Sequence, residues 1–218
     1  MCGIIAIVRR KATRTTPSSE DISAAFPSFD AVLPDTVAEL EVLAREFEDL
    51  NALLSGVPGV MALVNAPETF TLLAELVNLA ENTIAELDES LDEKATAVEL
   101  ESTNAAVLRL KDAIWSVGRD RLRTARAVND LCRGVVTTGT VEAYLSVQEA
   151  LSAIDRLEVR GRDSAGLHLL VSGHGLDLAD PAITNEIEER SADPLFGSGS
   201  VRVANGHLSF VYKAAAEI

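Results

Sequence analysis

Met1-Cys2-Gly3-Ile4-Ile5 opens the chain, and these five residues decide how the rest is read. Loss of Met1, common before a residue as small as Cys, would make Cys2 the terminus and leave a thiol and an α-amino group on one residue. A free thiol has a pKa of about 8.5 and an α-amino group one of about 7.7 to 8.0, so near neutral pH the amine can take the thiol proton. Gly3 permits close approach of backbone or substrate, and Ile4 to Val8 predict a short buried strand that fixes the terminus inside a fold. The competing reading is a start residue followed by a structural Cys in a core.

The whole sequence bounds what such a terminus can belong to. The 218 residues suit one large domain or two small ones, and 47% apolar with 24% charged residues is a globular composition. Aromatics make up only 4%, which leaves a core of Leu, Val, Ile and Ala. A net charge of −15 excludes the basic footprint that nucleic acid or an anionic membrane requires. No apolar run approaches the ~18 residues that span a bilayer, and Ile4 to Val8 is too short for a signal core. Two cysteines, Cys2 and Cys132, make no disulfide framework, so the expected location is the reducing cytoplasm. His168, His174 and His207 lack ligand spacing, and no metal site is expected.

Three regions follow along the chain. Residues 1 to 19 hold the predicted strand, the basic run Arg9, Arg10, Lys11 and Arg14, and a linker-like Thr15-Thr16-Pro17-Ser18-Ser19. Residues 20 to 145 carry 23 acidic against 9 basic side chains, which accounts for −14 of the net charge. They read as almost entirely helical. Leu40, Leu43, Phe47, Leu50 and Leu54 form one seam at alternating spacings of three and four, closed by Gly56, Pro58 and Gly59. A second helix starts near Pro67-Glu68, with the seam Leu73, Val77, Ala80, Ile84, Leu87 and Leu91. Unbroken from Glu68 to Val117 it would reach about 75 Å, so a kink or turn is expected where the seam weakens at Ser102-Thr103-Asn104. The seam resumes at Val107, Leu110, Ile114 and Val117. Gly118 is a further weak point, after which Leu122, Ala125, Val128 and Cys132 form another stripe. Arg119, Arg121, Arg123 and Arg126 read as a solvated face that pairs with acidic neighbours.

The third region begins with a helix from about Val141 to Leu157. Next comes Leu157-Glu158-Val159-Arg160-Gly161-Arg162-Asp163-Ser164-Ala165-Gly166, and then the apolar run Leu167 to Val171. Alone, Arg160 and Asp163 around Gly161 are a turn with a local ion pair.

Taken with Cys2-Gly3-Ile4, that segment resembles the class II glutamine amidotransferases, whose members begin M-C-G-I and carry R-G-x-D-x-x-G after the first helix. The Leu-Glu-x-Arg-Gly-x-Asp-Ser-Ala-Gly form is most similar to the glutamine:fructose-6-phosphate aminotransferase (glucosamine-6-phosphate synthase) branch, although Val159 and Arg162 stand where that branch usually has Tyr. The resemblance implies an α+β fold: a partial N-terminal-nucleophile hydrolase sandwich built from residues 1–19 and 141–218. A large all-α antiparallel insertion, residues 20–140, interrupts it. It further implies that Cys2 attacks the side-chain amide of glutamine, that Arg160 supports the nucleophile electrostatically, and that Gly161, Asp163, Ser164 and Gly166 shape the turn and strand behind it. No cofactor is implied. The partners implied are glutamine and, through further domains, a sugar phosphate such as fructose 6-phosphate.

The family's H-T-R-W segment, which grips the glutamine carboxylate, and its H-N-G oxyanion segment are absent, and the sugar-phosphate isomerase domains do not follow. Asn205-Gly206-His207 reads instead as a hairpin turn before Leu208 to Tyr212. The expectation is therefore an N-terminal fragment of an ammonia-producing domain. A different class of function stays open: a binding or assembly module whose acidic helices pair with another protein or a second copy of this chain.

Overall fold

The computed structural model describes residues 4–29, 34, 36–91, 97–157, 164–192 and 201–215, excluding the side chains of 87–91, 97–100, 157, 164, 214 and 215. The fold is mixed α/β, dominated by helices, with one three-stranded antiparallel sheet among the described residues. It divides into two compact units, Arg9–Gln148 and the pair of segments Met1–Val8 and Glu149–Ile218. The expected boundaries lay at 19/20 and 140/141. The second division between the compact units falls inside a helix.

The first unit is helical: α1 (Ser19–Ala24), α2 (Val37–Leu53), α3 (Gly56–Asn65), α4 (Pro67–Leu91), α5 (Ala97–Trp115), a π-helical segment (Ser116–Leu122), α6 (Arg123–Cys132) and the start of α7 (Thr138–Leu157). The helix starts are written locally. Thr36 Oγ1 accepts from Glu39 N at 3.2 Å while Glu39 Oε2 accepts from Thr36 N at 3.0 Å, and Ser18 with Asp21 repeats this capping box at α1. The predicted seams are the core. Leu40, Leu43, Phe47, Leu50 and Leu54 from α2 and its end, with Leu73, Val77, Ala80 and Ile84 from α4, are all buried, each large side chain contributing about 1.5–3 kcal/mol. Val107, Leu110, Ile114 and Val117 join them, as do Leu122, Ala125, Val128 and Cys132. Leu87 and Leu91 lie outside the described side chains.

The sequence reading is corrected at three places here. Gly56, Pro58 and Gly59 do not merely end α2; they begin α3. Pro58 sits in the first turn, where a missing N–H costs nothing, and a Cβ at Gly59 would fall inside the Leu54 carbonyl group. Ser102, Thr103 and Asn104 lie within α5 rather than at a break. Their propensity penalties are a few tenths of a kcal/mol each, and burial of Val107, Leu110 and Ile114 on the same helix outweighs them.

The third correction concerns Gly118, which does not interrupt the helix. From Ala97 to Cys132 the backbone is one helical rod, π-helical over Ser116–Leu122. Val117 and Leu122, both buried, are five residues apart, which in an α-helix would put them about 140° out of phase at 100° per residue. Bonding from i to i+5 stacks residues five apart and returns Leu122 to the core face. Along this rod, a Cβ at Gly118 would lie 3.2 Å from Val77 Cγ1, and the Arg126 guanidinium lies 5.4 Å from the Phe70 ring centroid. The rod advances as α4 recedes, so the two are antiparallel.

The second unit carries β1 (Ser164–Val171), α8 (Pro181–Ala192), β2 (Val201–Ala204) and β3 (His207–Ala215). The sheet order is β1-β3-β2, with Leu169 opposite Phe210 and Phe210 opposite Val201. Asn205 and Gly206 have φ of 51° and 75°, the two left-handed residues of a tight hairpin turn, as their sequence predicts. Asp180 caps α8 through Oδ1 and the Ala182 N–H at 2.8 Å, with Pro181 in the first position. Ile4 to Val8 do not form the expected buried strand. They have no regular structure, and Ile4 and Val8 are 93% and 88% exposed. A strand needs a ladder partner: β3 is taken on both sides by β1 and β2, and neither outer edge pairs with residues 4–8 among the described residues. Val201, Leu208 and Ser209 are the buried residues described in this unit; the hydrophobic core belongs to the other.

Candidate functional site

Cys2, Arg160, Gly161 and Asp163 all lie outside the described residues. Their described flanks are Ile4, the end of α7 at Leu157, and β1 beginning at Ser164. The segments that bear them, 1–8 and 149–218, group in one compact unit although about 140 residues separate them in sequence.

The other residues singled out by sequence have structural roles. Cys132 is a free thiol, 4% exposed in the helical core. Arg121 donates through Nε to Asn51 O at 3.1 Å and Asn51 Oδ1 at 2.7 Å, tying the π-helical segment to α2, and Arg126 covers Phe70. These two arginines therefore use an amide and an aromatic face rather than only the acidic neighbours expected for them. His174 Nδ1 accepts from Leu176 N at 3.1 Å, which leaves Nε2 to donate to Gly206 O at 3.2 Å and brace the hairpin turn. His168 Nε2 lies 3.0 Å from Ser209 Oγ across β1 and β3. His207 Nδ1 is buried without a hydrogen-bond partner among the described residues. No group of three metal-ligating side chains occurs among those residues, and no single helix among them is long and apolar enough to cross a membrane.

Two polar constellations in the helical unit escaped the sequence reading. An open groove of about 420 Å³ between α2 and α5 is lined by Glu48, Asn51, Leu108, Arg109, Asp112 and Ser116, among others. Arg109 meets Glu48 two-pronged, Nε to Oε1 at 2.8 Å and Nη2 to Oε2 at 2.7 Å. The Arg109 hydrogen bonds and charge hold the Glu48 carboxyl below its ordinary value. The second constellation joins the basic run to α7: Arg9 Nε donates to Ser146 Oγ at 2.9 Å and Ala12 N to Glu142 Oε1 at 3.1 Å. Neither had a sequence signal, since the partners are 61 to 137 residues apart.

Compared with protein-family models, curated proteins and solved structures, the chain matches none.

Proposed function

We propose that this chain is the N-terminal part of a glutamine amidotransferase domain that hydrolyses glutamine and delivers the ammonia to a sugar phosphate. The observation that carries the reading is the occurrence in one sequence of Met1-Cys2-Gly3-Ile4 and Arg160-Gly161-x-Asp163-Ser164-Ala165-Gly166. In this mechanism the Cys2 thiol gives its proton to its own α-amino group, and the sulfur attacks the amide carbon of glutamine. The tetrahedral adduct collapses with cleavage of the C–N bond; nitrogen takes the proton and leaves as ammonia, and a glutamyl thioester remains. Water adds to the thioester, glutamate departs and the thiol is restored. The Arg160 guanidinium supplies positive charge beside the nucleophile.

An assembly module remains the alternative reading; the described part of the helical seams it would use packs in the unit's own core.

The test is ammonia release from glutamine, measured on a version of the chain that carries the complete amidotransferase domain. Cys2→Ala abolishes release and Cys132→Ala does not. Glutamine turnover that survives loss of Cys2 overturns the reading. The 218-residue chain alone is expected to lack useful activity, since loss of a single oxyanion donor costs on the order of a hundred- to a thousandfold. Equal rates for the two lengths would move the oxyanion donors into residues 1–218 and restore Asn205-Gly206 as candidates.

A further inference from the structure

The outer face of α5 carries a stripe that the core does not use. Glu101, Ala105, Leu108, Asp112 and Trp115 recur at spacings of four and three, and all five are exposed, Leu108 to 60% and Trp115 to 47%. The opposite face of the helix holds Val107, Leu110 and Ile114 in the core. Beside the stripe runs the open groove of about 420 Å³, to which α5 contributes Leu108 and Asp112 and α2 contributes Glu48 and Asn51. Glu48 is held by Arg109, Asn51 Oδ1 accepts from Arg121, and the Ser116 hydroxyl donates to Asp112 O at 2.8 Å. The carboxylates of Asp112 and Glu101 have no partner among the described residues. An aliphatic side chain and an indole one heptad apart, flanked by uncompensated negative charge, fit the anchors that a helix presents at i and i+7.

We propose that this face of α5 and its groove dock a basic amphipathic helix of another protein, whose apolar residues pack on Leu108 and Trp115 and whose Lys or Arg side chains meet Asp112 and Glu101. Charge selects the occupant. Residues 20 to 145 carry 23 acidic against 9 basic side chains, a field that steers a cationic partner inward. A second copy of this chain is the wrong partner. An antiparallel pair that lays Leu108 on the copy's Trp115 sets the two Asp112 carboxylates against each other, and a parallel pair does the same and opposes the two Glu101 carboxylates as well. An open groove also suits side chains laid across it from outside, whereas a small molecule needs most of its surface enclosed. The proposal stands apart from the glutaminase reading, because every residue it uses belongs to the helical unit.

The test uses the 218-residue chain, whose single tryptophan is Trp115, and a synthetic leucine–lysine peptide of about three heptads with leucine at the a and d positions. Binding is read from Trp115 emission and from the anisotropy of a fluorescein label on the peptide. The peptide is expected to bind and to shift Trp115 emission to the blue, and by anisotropy Leu108→Asn and Trp115→Ala each weaken it about tenfold or more. Asp112→Lys, a charge reversal at an exposed position, weakens the leucine–lysine peptide and strengthens a leucine–glutamate peptide of the same pattern. Circular dichroism and cooperative melts like those of the wild type show that the variants are folded. Equal binding by a scrambled leucine–lysine peptide overturns the proposal, since charge alone then explains it. So does an equal loss in Leu72→Asn, which changes an exposed leucine of α4 that does not line the groove. Absence of binding overturns it too, as does a Trp115 shift with phosphatidylcholine vesicles alone, or self-association of the chain that Leu108→Asn abolishes. The last two give the face to a membrane or to a second copy. None of these readouts depends on ammonia release, so a failure here leaves the glutaminase reading standing on Cys2→Ala.

Discussion

Gly59 lies directly against the backbone carbonyl of Leu54, where the chain turns from α2 into α3, and there is no space between them for a β-carbon. The tightness lets Leu54, Val57, Val60 and Leu63 all reach the core across a two-residue connection. Gly59→Ala must push backbone apart, so it is expected to destabilise by about 1–3 kcal/mol, the usual cost of overpacking. Gly139, in the first turn of α7, has Thr137 Oγ1 as its nearest neighbour at 3.9 Å, and Gly139→Ala is expected to stabilise by about 0.4–1 kcal/mol. Urea midpoints of the two variants check this; a tolerated Gly59→Ala would show that the turn relaxes freely.

The π-helical segment predicts an unusual tolerance. Removing Arg119, an exposed residue within it, brings Val117 and Leu122 to a spacing of four and converts the rod to a continuous α-helix without moving either side chain off the core. The deletion should retain cooperative unfolding and full helical circular dichroism. Removing Asn82 from the middle of α4 should not, because it rotates Ile84 out of register with Leu73 and Val77. Equal damage from both would mean that the π segment is required by contacts rather than by phase.

Glu48 makes a small pH-dependent contribution. Its carboxyl is held below the ordinary 4.5 first by the Arg109 hydrogen bonds and then by the Arg109 charge. A carboxylate whose folded pKa is depressed binds fewer protons folded than unfolded around that value. Its stabilisation is therefore present above about pH 4.5 and is lost as pH falls through the lower folded value. Both side chains are about two-fifths exposed, 41% for one and 42% for the other, so solvent and salt screen the pair. Thermal melts should show Glu48→Gln slightly less stable than wild type at pH 7, with the gap closing below pH 4 and in high salt. A gap that persists at pH 3 would argue against the ion pair as its source.

Residues 9–148 should fold alone. The continuous core runs from Ile22 to Leu145 within that range, while the described part of the other unit buries only Val201, Leu208 and Ser209. The isolated fragment is expected to give a helical spectrum and one cooperative melt. Residues 149–218 alone should give neither, having too little apolar burial to offset about 1–2 kcal/mol of backbone entropy per residue. A cooperative melt from 149–218 would place a second core in residues outside those described.

Cys132 should be chemically silent in the native state. At 4% exposure within the α6 stripe, its thiol meets reagent only through opening of the helical unit. Native alkylation is therefore expected to stop at one modification, on Cys2, and to reach two in denaturant. Labelling of both at equal rates would show that the α6 end frays.

The sequence by itself determined the helical unit's core, because a period of three and four names the buried face of a helix wherever it lies. Leu40, Phe47, Leu50, Leu73, Val77, Leu110 and Val128 could be chosen without knowing what they would meet. The Asn205-Gly206 turn and the capping boxes were equally local, since their partners are at most three residues away. Tertiary structure alone decided the rest. The fit of Gly59 against Leu54 turned an expected stop into α3, and the need to return Leu122 to the core set the π segment. The same held for Ile4 to Val8: their apolar pattern signals a strand, but a strand exists only where another strand pairs with it, and neither outer edge of the sheet does so among the described residues. The hydrogen bonds from Arg9 and Ala12 to α7 were invisible for the same reason. Hydrogen bonds between residues about 130 apart are set by where the chain has already been folded, and no local period announces them.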